Sequence, residues 1–229
     1  MTAERISWSR TVLGAAVVAG LVVACASSVE APSAAAIQLR RAAQATRSTD
    51  SLHLESFAEG SRLRSSTDFR GRRVHSSLRA PDAAGCPAGS TLQTELIIID
   101  RMAYVSTVAD PTLYLAHALP KRASARDELN VLLVAETAAD VTKRGTHYTF
   151  DLLPASAKGF GGQSATGDAT VEHGRVVALT LAIKSNGKTG RVQYQFTMLA
   201  AEPAVEAPPP DRVVNAEPST LAAGSCVTD

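Results

Sequence analysis

The feature that most constrains the fold is a two-residue alternation of apolar and polar side chains in the second half of the chain. It runs through GTHYTFDLL (145–153), GRVVALTLAIKS (174–185) and RVQYQFTML (191–199). Successive side chains of a strand point to opposite faces, so this period predicts strands with one buried face. Asn186-Gly187 lies between the last two runs and is a strong signal for a two-residue hairpin turn. These segments therefore predict an antiparallel meander.

A second group of strand-like segments lies nearer the N-terminus. It comprises LHLESF (52–57), SRLRSSTDF (61–69), RRVHSSL (72–78) and the strongly apolar TLQTELIIIDRMAYVST (91–107). Asp100-Arg101 falls within the last of these, at a position that suits a tight hairpin turn. Together the two groups predict an antiparallel sheet of about seven to nine strands.

Helices are predicted beside this sheet. Residues 37–46 show a short amphipathic pattern, and a second helix is predicted to begin near Ser124, where a capping-box pattern precedes leucines at helical spacing. The weaker segment PTLYLAHAL (111–119) is predicted to be either another helix or an irregular lid. Helices inserted into an antiparallel meander indicate an α+β fold.

The first 24 residues have the pattern of an export signal. Two arginines precede an uncharged apolar stretch, Thr11 to Val23, which is too short to span a bilayer. The exit Val-Val-Ala-Cys resembles the lipobox of bacterial lipoproteins, in which the cysteine thiol receives a diacylglyceryl group. We therefore predict a signal peptide over 1–24, lipid attachment at Cys25 and a flexible tether over 25–36. The predicted location is the extracytoplasmic face of the cell membrane, with the acyl chains as anchor.

Charge and cysteine content limit the possible partners. Without the signal peptide, 205 residues carry 21 basic and 21 acidic side chains, whereas nucleic-acid binders usually have a clear basic excess. We therefore expect no nucleic-acid partner and no strong electrostatic attachment to anionic lipid. Cys86 and Cys226 are the two cysteines left in an oxidising compartment, and a disulfide between them is favoured over free thiols.

No catalytic or metal-binding pattern stands out. GQSAT (162–166) comes within one residue of the G-x-S-x-G nucleophile elbow, which requires a strand-to-helix turn in a parallel sheet. We therefore interpret residues 158–167 as a flexible loop, and an esterase acting through Ser164 is a distant third hypothesis. The five histidines show no ligand spacing. We expect no enzyme activity, no cofactor and no metal site.

The order of the elements resembles that of the actinobacterial lipoproteins of the mycobacterial LppX/LprG type over roughly residues 37–213. The matching parts are RRAAQATRSTDSLHLE, ELIIIDRMAYVS, DELNVLLVAETAADVTKRGTHYTFDL, VVALTLAIKSNGKTGRVQYQFTML and VEAPPPDRV. The resemblance implies a curved antiparallel sheet, an unclosed half-barrel, with helices packed on its concave face. It also implies a non-enzymatic carrier of acylated lipids or lipoglycans. Residues 37–213 would form this domain, and 214–229 a C-terminal tail.

The leading hypothesis is a membrane-anchored lipoprotein that binds acylated lipid in an apolar cavity and carries or transfers it across the cell envelope. The candidate cavity lining consists of Leu96, Ile98, Leu129, Leu132, Leu133, Leu179 and Leu181. The alternative is a structural or interaction lipoprotein with a filled core, which would act through its basic surface on an envelope protein partner. Sequence pattern alone does not separate the two, because cores and cavity linings use the same residue types.

Overall fold

The computed structural model describes residues 32–58, 61–69, 72–81, 90–106, 112–119, 125–215 and 225–228. The predicted signal peptide, Cys25 and Cys86 lie outside these ranges. The signal peptide, the lipid attachment and the disulfide therefore stay predictions.

Thirteen strands of the described residues form one sheet. In chain order they are β1 (Ser51–Ala58), β2 (Ser61–Asp68), β3 (Arg73–Pro81), β4 (Ser90–Ile99), β5 (Met102–Ser106), β6 (Tyr114–Ala118), β7 (Ala139–Arg144), β8 (His147–Asp151), β9 (Ser164–Glu172), β10 (Arg175–Ser185), β11 (Lys188–Met198), β12 (Val213–Asn215) and β13 (Ser225–Thr228). The helical elements are α1 (Ala34–Arg47), a 3₁₀ helix (Ala125–Leu132), α2 (Leu133–Glu136), α3 (Pro154–Gly159) and a 3₁₀ turn (Pro210–Arg212).

The sheet joins two antiparallel meanders. Strands β1 to β6 form the first and β7 to β11 the second, and the two meet where β11 pairs with β1. The spatial order is β12-β6-β5-β4-β3-β2-β1-β11-β10-β9-β8-β7, so β7 and β12 are different edges and the sheet does not close. Among the described strands, only β12 pairs in parallel, with β6. The predicted α+β class with an unclosed, antiparallel-dominated sheet is confirmed, whereas helix packing on its concave face stays a prediction.

Two predicted hairpin turns are present. Asn186 and Gly187 have φ of 50° and 74°, between the paired residues Ser185 and Lys188. Positive φ at both central residues is the requirement of a type I′ turn, which Asn-Gly satisfies. Asp100, with φ of 53°, lies in the turn between β4 and β5.

Helix α1 begins three residues earlier than the sequence pattern indicates. The Ser33 hydroxyl accepts a hydrogen bond from the Ala36 amide at 3.1 Å and so caps the helix before Ala34. The second helix is present but is wound largely as 3₁₀. Because side chains three residues apart eclipse one another in a 3₁₀ helix, Arg126, Leu129 and Leu132 lie in one line. We call the whole segment Ala125–Glu136 the helical insertion.

Two local expectations were wrong. Segment 111–119 contains strand β6, not a helix or a lid, and residues from Ser164 onward belong to β9 while Lys158 and Gly159 belong to α3. Within the predicted C-terminal tail, residues 214–215 belong to β12 and residues 225–228 form β13, which pairs with β4. The pairings of β12 with β6 and of β13 with β4 join segments that are distant in sequence, so local pattern gave no sign of them.

Candidate functional site

One row of paired residues defines the inner face of the sheet. Leu54 of β1 pairs with Ser65, Ser65 with Ser76, and Ser76 with Leu96. The row continues from Leu96 to Val105 and then to Leu115 on β6. Directly paired residues of antiparallel strands point to the same face. The same row therefore links the core around Leu54 to five further strands.

The part of the inner face on β8 to β11 is filled. The core cluster combines side chains of α1, the helical insertion, α3 and the strands β1 and β8 to β11, together with Phe69. Its fully buried members include Leu39 of α1 and Leu179 and Leu181 of β10. The hydroxyl of Thr46 on α1 accepts from the Val176 amide at 2.9 Å. That bond fixes the helix against β10.

The part on β2 to β6 is covered less completely. Six of its inner-facing aliphatic side chains are half-buried, and we call them the aliphatic strip. They are Leu63, Leu78, Leu96, Ile98, Val105 and Leu115. Among the described residues of β3 to β6, none belongs to the core cluster, but Val74 and Ala103 on the same face are fully buried.

A buried carboxylate cluster lies between these two parts. Glu128 of the helical insertion accepts hydrogen bonds from the hydroxyls of Ser65 at 2.7 Å, Thr67 at 3.0 Å and Ser76 at 3.1 Å. Burial raises the pKa of Glu128 above its ordinary value, and the three hydroxyl hydrogen bonds oppose that shift. Because Ser76 is paired with Leu96, the cluster borders the aliphatic strip.

Further contacts hold the helical insertion in place. The Arg126 guanidinium donates to the Arg47 carbonyl at 2.6 Å and lies 4.7 Å from the centre of the Phe69 ring. At the other end, Arg47 forms an ion pair with Glu136 at 2.6 Å. The insertion is therefore attached to α1 and to β2 and β3 along its whole length.

The structure separates the predicted lining residues into three groups. Leu129, Leu132, Leu179 and Leu181 are fully buried members of the core cluster. Leu96 and Ile98 belong to the half-buried aliphatic strip, and Leu133 is 39% exposed. The structure therefore brings together the first four, but places Leu96 and Ile98 in a different part of the inner face.

Sequence reasoning missed Glu128 and the other four members of the aliphatic strip. A signal for the cluster was present, because Ser65 and Thr67 occupy the same strand face as Leu63 and Phe69 in SRLRSSTDF. Buried hydroxyls on an otherwise apolar face require hydrogen-bond partners. The partner itself, Glu128, lies 61 residues beyond Thr67 and could not be identified from local pattern.

On the outer face, carboxylates pair with the basic strands. Glu55 contacts Arg62 at 2.8 Å and Arg64 at 3.1 Å. The hydrogen bond from Arg62 holds the pKa of Glu55 below its ordinary value. Glu95 likewise contacts His75 at 2.5 Å and accepts a hydrogen bond from the Tyr114 hydroxyl. Arg62 and Arg64 therefore share one carboxylate, and His75 is paired with another.

Two open grooves lie near the β7 edge of the sheet. A polar groove of about 490 Å³ on the outer face contains Asp140, Asp151 and Asp168 together with threonines and Arg191. A second groove of about 340 Å³ lies between α1 and two hairpin turns, with Arg41 and Lys143 among its lining residues.

Two other kinds of feature are absent from the part of the chain that the structure describes. No group of three or more His, Cys, Asp or Glu side chains is arranged to hold a metal ion. No helix among those residues has the length and apolar character needed to cross a membrane.

Comparison with known proteins identifies the fold. No protein-family model matches the sequence, and no curated protein matches it. Among solved structures, LprF from Mycobacterium bovis superimposes with a TM-score of 0.56 over 76% of this chain and 96% of LprF. The chain shares the fold of LprF. The two sequences are only 12% identical, so the resemblance to lipoproteins of the LppX/LprG type is confirmed at the level of the fold.

Proposed function

We propose that this chain is a lipoprotein, anchored through acylated Cys25 at the extracytoplasmic face of the cell membrane, that binds acylated lipid and transfers it across the envelope. The ligand's acyl chains would lie against the aliphatic strip. The observation that carries the proposal is the half-buried state of this strip, on the same face whose other half is a filled core.

The energetics of the strip suit an acyl chain. Each methylene group that moves from water into an apolar surrounding contributes about 0.8 kcal/mol. A chain of several methylenes covering six aliphatic side chains would therefore bind without a dedicated polar site. The Glu128 cluster borders the strip, but the Glu128 carboxyl group already accepts hydrogen bonds from three hydroxyls. It therefore does not require water molecules at the place where the acyl chain would lie.

The alternative, an interaction lipoprotein with a filled core, receives less support. It would use the basic strands as its contact surface, but Arg62 and Arg64 are paired with Glu55. Half-buried aliphatic side chains on a continuous inner face also have no role in that hypothesis. An esterase receives no support from the position of Ser164, which begins strand β9 and not a helix.

Substitution of Leu96 tests the proposal directly. Leu96→Gln places an amide in the middle of the strip, and we expect it to weaken uptake of a fluorescent fatty acid about tenfold, because an amide must be desolvated there. Leu153→Gln is the matched control, since Leu153 is 45% exposed and lies outside the strip. Leu133→Gln should behave as the control does. Equal affinities for the Leu96 and Leu153 variants would contradict the proposed site.

A further inference from the structure

The balanced net charge hides a local concentration of cations at one end of the sheet. Arg41 of α1, Lys143 and Arg144 of β7, and Arg175 of β10 are all exposed. We call these four side chains the basic rim. They surround the turn between β7 and β8 and the turn between β9 and β10.

The second groove brings these elements together. Arg41, Lys143, Gly145 and Gly174 all line it, and Arg144 and Arg175 directly adjoin the two glycines. The Val171 amide donates to the Thr146 carbonyl at 2.9 Å and joins the two hairpins at this point. The basic rim is therefore a surface built from three elements that pack together.

Lys143 is held in position above the groove. Its ammonium group donates to the Gln38 side chain at 2.8 Å and lies 5.3 Å from the centre of the Tyr148 ring. The Tyr148 hydroxyl donates to the same Gln38 oxygen at 3.1 Å. The floor beside these groups is apolar, with Ala42 and Val171 among its residues.

Among the described residues 143–148 and 171–175, which contain the two hairpin turns, there is one carboxylate, Glu172. Glu172 is the residue paired with Arg175 across the β9–β10 turn. Asp168 is 4.0 Å from His147, and Asp140 and Asp151 lie toward the opposite ends of β7 and β8. Residues 143–148 and 171–175 carry three cations, Lys143, Arg144 and Arg175, and Arg41 of α1 adds a fourth cation at the groove.

We infer that the basic rim docks onto the anionic surface of a phospholipid bilayer, with a headgroup phosphate between Arg41 and Lys143. Arg41 and Lys143 line the groove and suit a phosphate attached to an acyl chain, whereas Arg144 and Arg175 lie beside it at the tips of the hairpins. Each cation near an anionic membrane strengthens binding about fivefold. If Cys25 carries the proposed anchor, the nine residues from there to Ala34 extend no more than about 30 Å. The start of α1 would then lie within that distance of the membrane. That argument rests on the proposed function, but the charges and the groove do not.

Vesicle binding by residues 26–229 tests this inference without the anchor. The core cluster and the residues packed against it lie between Ala35 and Met198, so this chain keeps the complete core. We expect it to sediment with vesicles of phosphatidylcholine and phosphatidylglycerol in equal parts and not with phosphatidylcholine alone. Arg144→Gln with Arg175→Gln should weaken that binding about 25-fold, from fivefold per cation. Arg62→Gln with Arg64→Gln removes the same charge elsewhere and should change it less than about twofold.

Three outcomes would overturn the inference. The first is no binding to the anionic vesicles, and the second is an equal loss of binding in the two double variants. The third is binding of inorganic phosphate without binding of the vesicles, since the groove would then be a site for a free anion. Binding of a fatty acid by the strip is measured separately, so failure of vesicle binding would leave the proposed function intact.

Discussion

The two halves of the inner face are made from similar strands but are packed differently. Strands β8 to β11 are covered by α1, and their leucines are fully buried. Strands β2 to β6 carry Ser65, Thr67 and Ser76 beneath Glu128, followed by the half-buried aliphatic strip. The difference shows that a single alternating pattern can supply both a core and a surface for a ligand. The covering element decides which one results.

The largest expected difference between the halves is in stability. Leu181→Ala should lower the free energy of unfolding by about 2–5 kcal/mol, because Leu181 is fully buried and its removal leaves a cavity. Leu96→Ala should cost clearly less, since Leu96 is already half-buried. Urea denaturation of both variants measures the difference. Equal costs would show that the strip is part of an ordinary core.

The next largest effect on stability is expected inside the filled half, where a glycine lies close to an aromatic ring. Gly167 of β9 is paired with Phe150, and an added methyl group would overlap the Phe150 ring. Gly167→Ala should therefore cost about 1–3 kcal/mol through overpacking. Gly159→Ala is the control, because no atom lies within 4 Å of its added carbon. Thermal unfolding that gives the same midpoint for both variants would mean that the filled half has room to adjust.

The buried carboxylate between the halves should show a pH dependence. Because the pKa of Glu128 is raised in the folded protein, the folded state holds its proton more tightly than the unfolded one. The stability that Glu128 contributes is thus fully present below its ordinary pKa of 4.5 and is lost as pH rises through the folded value. The free energies of unfolding of wild type and Glu128→Gln should differ by about 1 kcal/mol. As pH rises, wild type should lose stability relative to the variant. A difference that shifts in favour of wild type would contradict the assignment.

The stability contributed by Glu55, the carboxylate on the outer face, should depend on pH in the opposite direction and should be the smallest of these effects. The pKa of Glu55 is lowered in the folded protein, so its contribution is present above 4.5 and is lost as pH falls through the folded value. Glu55→Gln should cost less than about 1 kcal/mol at neutral pH, since its partners are partly exposed. Urea denaturation at two pH values measures this, and a cost that grows in acid would be inconsistent with the Arg62 contact.

Sequence alone was sufficient for the features that depend on local pattern. Alternation located β8, β10 and β11, and Asn186-Gly187 located the hairpin between the last two. It was not sufficient where distant segments pair. Tyr114–Ala118 becomes a strand between β5 and β12, and Cys226 lies opposite Leu92 on β4. The 3₁₀ winding of the helical insertion likewise accompanies contacts with strands about 60 residues away.

For the candidate site, pattern identified apolar residues but not their packing. Leu96 and Leu181 look alike in the sequence, because each lies in a strand with apolar side chains on both of its faces. Only the position of α1 and the helical insertion distinguishes the half-buried residue from the fully buried one. The Glu128 cluster needed three strand residues and one helical residue to be brought together, which no local period encodes.

Native mass spectrometry of residues 26–229, purified without detergent, tests the central claim most directly. The account predicts a stoichiometric lipid that is released on denaturation, or uptake when an acylated lipid is offered, and loss of either in Leu96→Gln but not in Leu153→Gln. A mass without lipid, unchanged after acylated lipids are added, would contradict it.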